Sequence, residues 1–529
     1  MPTDCISFQS SGYFSKLMQD YLDQKEELKP LYNNFPTFEN FEKQIAEKAA
    51  NFDHKNRIPL VATLQKQYEN IEISESTQQN ISLLALENTF TITTGHQLNL
   101  FSGPLYFLYK IISTINLTKE LKSKYPSYNF VPVYWMATED HDFEEINYFN
   151  FKGKKIRWNA KSTGPVGRLS TDGLEDLFEI YSKELGSSTN ANALKKLFED
   201  AYLKHDKLAD ATRFLANALF SNYGLVIIDA DDSNLKRAFI PFVKEELENQ
   251  TSFKNVQKSI EKLADYTVQV NPREINLFYI EDKLRERIIF ENDKYWVNNT
   301  KISFSKEEIL KLLESNPEKF SPNVIMRPLY QEIILPNLCY IGGGGEIAYW
   351  LELKAFFEAV NITFPILLVR NSVLLATEKQ AKKADNLDLS WKDLFSKPEN
   401  LINAITHKLS PFPIDLTEQK EALEKQFNYL SELAEKTDKS FSGAVKAQEV
   451  KQKKGLENLE KRLLKAQKRK LQDQLQRVND LQCELFPNHS LQERQANFSE
   501  FYLENGEQLI PLLIQKLKPL EHNFDIIII

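Results

Sequence analysis

Four consecutive residues, Glu139, Asp140, His141 and Asp142, put three carboxylates and an imidazole within reach of one substrate. Carboxylates hold cations and accept hydrogen bonds, and imidazole exchanges a proton near neutral pH, so the group suits proton abstraction from an attacking amine. Asp140 and His141 are the candidate general bases; Glu139 and Asp142 are assigned to substrate binding. Neighbouring loop residues cannot all ligate one ion and no second histidine motif follows, so no metal is expected among them. An acidic turn exposed to water is the competing account.

Two glycine-bearing loops supply the other candidates. TGHQLNLFSGP, starting at Thr94, follows the β-branched run 90–94 and precedes Leu105, Leu108, Ile112 and Ile115 at helical spacing. A strand that opens through a loop onto a helix amino end offers free N–H groups and a favourable dipole to an anion. Thr94, Gly95, Gln97, Gly103 and Lys110 are assigned to binding, His96 to catalysis, and Pro104 to the first helical turn. The second loop, Gly342, Gly343, Gly344 and Gly345, lies in a chain with only 16 glycines. It removes every Cβ where a strand turns into a helix and lets a phosphate or carboxylate approach the backbone. It matches neither the dinucleotide fingerprint nor the P-loop. Glu346, Tyr349, Trp350 and Glu352 follow it, and Arg327 upstream can meet a carboxylate bidentately. An ordinary tight turn is the alternative for each loop.

The elements that carry these loops are apolar runs. Residues 130–137 (FVPVYWMA) read as a strand covered on both faces, ending at the acidic cluster with Trp135 just before it. With residues 90–94 and the helix between, they make one βαβ unit whose right-handed crossover brings both loops to one sheet edge. Residues 225–232 (LVIIDADD) repeat the formula and add Asp229 and Asp231; residues 364–370 give a further strand. Residues 276–280, 287–290 and 294–297 read as strands, the last two forming a hairpin turning at Asn292 and Asp293. The fold class is α/β: a doubly wound parallel-sheet core with helical insertions and a carboxyl-terminal helical arm. Expected bounds are about 1–80 for an amino-terminal helical segment and 81–378 for the core, with insertions near 149–207 and 250–322. The arm spans about 379–510, and a segment 511–529 returns to the core.

The arm is rich in Lys, Glu, Gln and Leu, with Leu416, Leu423 and Leu430 seven apart, and Leu464, Leu471, Val478 and Leu485 likewise. It reads as a coiled coil of two antiparallel helices turning at residues 439–443, with apolar stripes that predict a homodimer. Lys461, Lys465 and Lys468 raise nucleic-acid binding as the rival class, a scaffold or binding protein with a non-catalytic sheet domain. The net charge of −8, from 66 basic and 74 acidic residues, speaks against it. With 42% apolar residues, a mean hydropathy of −0.44 and no run of spanning length, no membrane segment is expected. Cys5, Cys339 and Cys483 show no ligand or disulfide spacing, and no secretory pattern opens the chain; a reducing, cytoplasmic setting is expected.

TGHQLNLFSGPLY from Thr94, VPVYWMATEDHDFEEIN from Val131, NVIMRPLYQEIILPNLCYIGGGGEIAYWLELK from Asn323 and LQERQANF from Leu491 together resemble the bacillithiol-biosynthesis cysteine-adding enzymes. The resemblance spans nearly the whole chain. It implies a Rossmann-like core, a dimerising coiled-coil arm, and condensation of L-cysteine with glucosaminyl-malate as the last step of bacillithiol synthesis. His96 and Gly344 stand where many members carry Gln and Pro. Forming an amide from a free carboxyl is uphill in water, so activation is expected, with ATP and magnesium as its source, bound as in Rossmann ligases rather than by a Walker loop because the glycine loops accept anions and no P-loop is present.

Overall fold

The computed structural model describes residues 4–529. At its centre lies a parallel sheet of β1 (Thr89–His96), β2 (Asn129–Met136), β3 (Val226–Asp229), β4 (Asn337–Gly342) and β5 (Ile366–Val369), in the spatial order β5-β4-β1-β2-β3. The chain winds one way from β1 to β3, crosses back, and winds the other way through β4 and β5. The reversal falls between β1 and β4, and in such sheets ligands bind outside the carboxyl ends of the strands at that point. The doubly wound, Rossmann-like core expected from the sequence is present.

Helix α1 (Tyr106–Lys124) joins β1 to β2, α2 (Met326–Ile334) precedes β4, and α3 (Gly344–Leu351) follows it. Pro104 lies ahead of α1 rather than in its first turn, because residues 99–103 first fold into a tight knot. There Phe101, Ser102 and Gly103 take φ of 48°, 68° and 62°. The knot is held by Asn497, whose amide donates to the carbonyls of Phe101 and Gly103 at 2.8 and 2.6 Å. Strained backbone persists when surroundings over-determine it in this way. Residue 103 is glycine because a Cβ would stand 2.6 Å from that of Asn99.

The insertions fold as their patterns predict in kind. Tyr148–Phe151 and Lys154–Arg157 make a short hairpin followed by helices. Leu277–Glu281, Leu284–Glu291 and Lys294–Val297 are three strands of a five-stranded antiparallel sheet, and Asn292 and Asp293 turn the hairpin with φ of 53° and 57°. Two bounds are corrected. Asp4–Ser7, placed in a helical segment, is a strand pairing antiparallel with Asn523–Ile528, which lies between it and Ser372–Ala376. Residues 491–510, placed in the arm, belong to the unit formed by 1–375 and 491–529. They do so because Gln492 bonds both backbone groups of Leu375, at 3.0 and 2.9 Å, and Glu493 accepts from the Val373 N–H at 3.1 Å.

Residues 376–490 form the second unit. Thr417–Glu435 and Lys439–Lys470 run antiparallel, with Lys420 pairing Glu460 at 2.7 Å and Lys453 facing Glu424 at 3.6 Å. Phe427, Ala434 and Val445 pack with Leu423 and Leu430 between them. The turn lies at 436–438 instead of 439–443, because the Asp438 carboxylate accepts from the N–H groups of Ser440 and Phe441 and caps the second helix. Among the described residues no helix is long and apolar enough to cross a membrane.

The amino-terminal helix Phe38–Asn51 is capped by Thr37 and presents Phe41 and Ile45 to an apolar cluster shared with Phe90, Ile92, Leu117, Leu338 and Ile366. On its buried face Lys48 meets Glu332 of α2 at 2.8 Å, the two side chains 1% and 0% exposed. Removing one member of a buried pair strands the other charge. Lys48→Met is expected to lower stability by about 3–5 kcal/mol in chemical denaturation, whereas an exposed lysine such as Lys382 should show almost no effect when replaced the same way.

Candidate active site

A cleft of about 1070 Å³ opens at the carboxyl edge of the sheet over the β1–β4 reversal. It gathers Gly95, His96, Gln97 and Lys110 from the first loop and helix, Glu139, Asp140, His141 and Asp142 from the acidic cluster, and Gly343, Gly345, Glu346, Tyr349 and Arg327. Three stretches, around residues 96, 140 and 345, thus meet because parallel strands deliver their following loops to one edge.

Five expected site residues lie outside this cleft. The Thr94 hydroxyl is buried and donates to the Ile341 carbonyl at 2.7 Å, tying β1 to β4. Gly103 serves the knot described above. Gly342 is the end of β4, where a Cβ would meet that of Glu346 at 2.9 Å, and Gly344 faces Met18 in a small adjoining hollow. Trp350 is fully buried and stacks on Tyr340 at 4.6 Å. Glu352 is also a structural group: its carboxylate accepts from the N–H groups of Gln269 and Val270 at 2.7 and 3.3 Å.

Two expected binding charges are already paired. Lys110, 4% exposed, donates to the Gly95 carbonyl at 2.6 Å and meets Glu346 at 2.6 Å. Glu346 also accepts from the Tyr340 hydroxyl at 2.7 Å and the Gly343 N–H at 3.2 Å. Burial pulls the Lys110 ammonium below its ordinary value, and Glu346 opposes the fall. Burial would raise Glu346, but Lys110 and these donors outweigh it and hold the carboxyl low. Neither is a free hand for substrate. Arg327 is caged: it lies 5.7, 5.6 and 5.9 Å over the rings of Trp135, Tyr340 and Trp350 and donates to Gln331 at 3.0 Å.

In the acidic cluster, Glu139 is buried against Lys236, which also lies 3.4 Å from Asp231. Arg168 grips Asp231 through two nitrogens at 2.7 and 2.9 Å. Burial raises Glu139 despite Lys236, and burial with the neighbouring Asp231 raises Asp229, so both belong to an internal network. Asp140 is the member presented to the cleft. One oxygen accepts from the His141 N–H at 2.7 Å and the other from Gln97 at 3.0 Å, and Gln97 also donates to Glu145 at 2.8 Å.

His141 is oriented by Arg285, which no sequence motif marks. Arg285 places Nη1 2.8 Å from His141 Nδ1, donates to Ser321 and to the Pro322 carbonyl at 3.2 and 3.1 Å, and lies 4.0 Å over the Phe278 ring. A guanidinium has donors only, so Nδ1 accepts and the imidazole proton sits on Nε2. With Nδ1 so engaged, His141 offers the cleft an N–H donor, where the sequence suggested a general base. The signal was present: Arg285 and Arg287, two apart on a strand, share one face. Arg273, Arg287 and Arg494 also line the cleft, and their guanidinium groups make no hydrogen bond or ion pair with the described residues.

Residues 1–371 match the family model described as "Bacillithiol biosynthesis BshC, N-terminal Rossmann-like domain", and residues 373–529 match "Bacillithiol biosynthesis BshC, C-terminal coiled-coil domain". The chain belongs to the BshC family. A relative from Flavobacterium johnsoniae is 84% identical over the full length of both chains. Others from Flavobacterium psychrophilum and Christiangramia forsetii are 65% and 58% identical, each covering 100% of this chain and 99% of the relative. All three carry the name "Putative cysteine ligase BshC". In this BshC-family chain His96 is buried against Tyr106 and Phe107 at 5.4 and 5.1 Å, and its Nε2 has no partner among the described residues. Burial, then Lys110 and Arg370, hold the imidazole well below its ordinary range, so it is neutral at pH 7.

Burial pushes the Glu352 carboxyl up to about 7 against an ordinary value of 4.5. Because its folded value is the higher one, the folded state binds the proton more tightly, and stability falls as pH rises from about 4.5 to about 7. Glu352→Gln removes the titration, and its denaturation midpoint is expected to vary less across that window than that of the unsubstituted protein.

Proposed function

We propose that the chain is an amide-forming ligase that joins the carboxyl of L-cysteine to the amine of glucosaminyl-malate, in the cytoplasm. The observation that carries this reading is the presence of both charges in one cleft: its lining includes the carboxylates Asp140, Asp142 and Glu145 and also Arg273, Arg287 and Arg494, whose guanidinium groups have no partner among the described residues. An ammonium substrate suits the first and an anionic one the second. The three thiols are free, in keeping with a reducing compartment.

The amine must lose a proton before it attacks, and Asp140 is the carboxylate placed to accept it, with Gln97 fixing its orientation. As the carbonyl oxygen gains charge, His141 Nε2–H donates to it. His96, neutral and dry, can accept a hydrogen bond from substrate but is a weak base. The glycine loop and the free arginines fit the phosphates of a nucleotide, and ATP, if it is the activating co-substrate, would supply the carboxyl's leaving group; magnesium would arrive with those phosphates. Purified protein given cysteine and glucosaminyl-malate is expected to form product with ATP and magnesium and none without them, read by mass spectrometry; product without nucleotide would remove this part of the mechanism. Asp140→Asn is expected to lower turnover about 100-fold or more at an unchanged melting temperature. His141→Gln, which keeps an N–H donor, should stay within about tenfold, whereas His141→Phe should lose about 100-fold. Equal losses in both histidine variants would return His141 to the role of base.

The arm leaves Tyr429, Val450 and Leu459 63%, 66% and 54% exposed, and we assign this apolar surface to a homodimer. Light scattering should show a dimer that Val450→Glu with Leu459→Glu converts to monomer; a dimer that survives both charges would place the interface elsewhere.

A further inference from the structure

The amino end of α3 carries donors that have no partner among the described residues. Gly343 caps the helix and its own N–H is bound by Glu346 at 3.2 Å, so the N–H groups of Gly344 and Gly345 are the first without a partner among the described residues. Arg370, which follows β5, is 4% exposed. Its terminal nitrogens are engaged: Nη1 donates to Glu493 and to the Asn371 carbonyl at 3.0 and 2.8 Å, and Nη2 to Glu493 at 2.7 Å. Its Nε is buried with no partner, and a Cβ on Gly343 would stand 3.8 Å from it, so that N–H is turned toward the glycine loop. An unused N–H on a buried guanidinium is costly unless a ligand completes it. A hollow of about 150 Å³ lies here, lined by Gly344, Gly345, Arg370, Arg494 and Ser15, and it shares Gly343, Gly345 and both arginines with the main cleft. The nearby carboxylates are spent, Glu493 on Arg370 and Glu346 on Lys110.

We propose that the Gly344 and Gly345 amides, Arg370 Nε and the Arg494 guanidinium form an anion subsite that takes one small doubly charged oxyanion. Helix amides, a buried N–H and an exposed guanidinium line the same hollow, which holds one phosphate-sized or malate-sized group and little more. The cation set differs from the one the sequence suggested, since Lys110 and Arg327 are engaged elsewhere. The subsite itself stands without the ligase reading; its two sources, a nucleotide phosphate or the malyl carboxylates, rest on that reading.

Calorimetric titration of the full chain with inorganic phosphate and, separately, L-malate tests it. Saturable binding of either is expected, and whichever binds names the source. Arg494→Gln removes the free cation. Gly345→Asp puts a carboxylate at the site, where the added Cβ meets nothing within 4 Å and an acid in the first helical turn suits the dipole. Both are expected to weaken binding at least tenfold with no fall in melting temperature. Binding of neither anion by the unsubstituted protein, or undiminished affinity in either variant, would overturn the proposal. Anion binding that persists while no amide product forms would count against the ligase reading alone.

Discussion

One buried ammonium holds the two halves of the sheet's carboxyl edge in register. Lys110 of α1 reaches back to the Gly95 carbonyl at the end of β1 and across the chain reversal to Glu346 of α3. An ammonium taken out of water must be both paired and hydrogen-bonded, and these two partners come from opposite sides of the crevice. The width of the cleft is therefore set by a contact whose loss would leave a charge stranded. Thr94 adds a second tie, from its hydroxyl to the Ile341 carbonyl in β4. Gly95 is glycine for the same reason, since a Cβ there would press to 3.2 Å from the Tyr340 hydroxyl that also serves Glu346.

With that frame rigid, the remaining charges sort by whether the protein itself satisfies them. Lys236, Arg168, Glu139 and Asp231 close on one another and stiffen the ends of β2 and β3. Arg273, Arg287 and Arg494 close on nothing among the described residues. A charge that a fold leaves unpaired at the wall of a cleft is available to a ligand at little desolvation cost, which is why the substrate polarity is read from these groups and not from the buried pairs. The insertion sheet contributes through Arg285, whose donors are fixed by Ser321, Pro322 and His141. It decides which nitrogen of His141 carries the proton, and so which half of an acid–base reaction that side chain can perform.

Much was legible in the chain itself. Continuous apolar runs ending in glycine or acidic loops identify buried parallel strands, and the period-2 and period-3.6 patterns separate the insertion hairpin from the arm. The motif order carries the family, and the loops named from it do meet in one cleft. The misreadings share a cause. Gly103, Gly342 and Trp350 have types that suit ligands, yet each is required by packing: a positive-φ knot, a close Cβ approach and an aromatic stack. Residue type shows what a side chain can do, and only its neighbours show whether that capacity is already used.

What the sequence determined alone is therefore the inventory: the alternation of strands and helices, the loops that end the strands, and the presence of carboxylates, imidazoles and glycines at those ends. These follow from local periodicity and backbone freedom, which act over a few residues. Only the tertiary structure decided the pairing of charges, because Lys110 with Glu346, Arg285 with His141 and Arg370 with Glu493 join residues 236, 144 and 123 positions apart. Coulombic and hydrogen-bond energies depend on distance and burial in space, and no spacing along the chain encodes them.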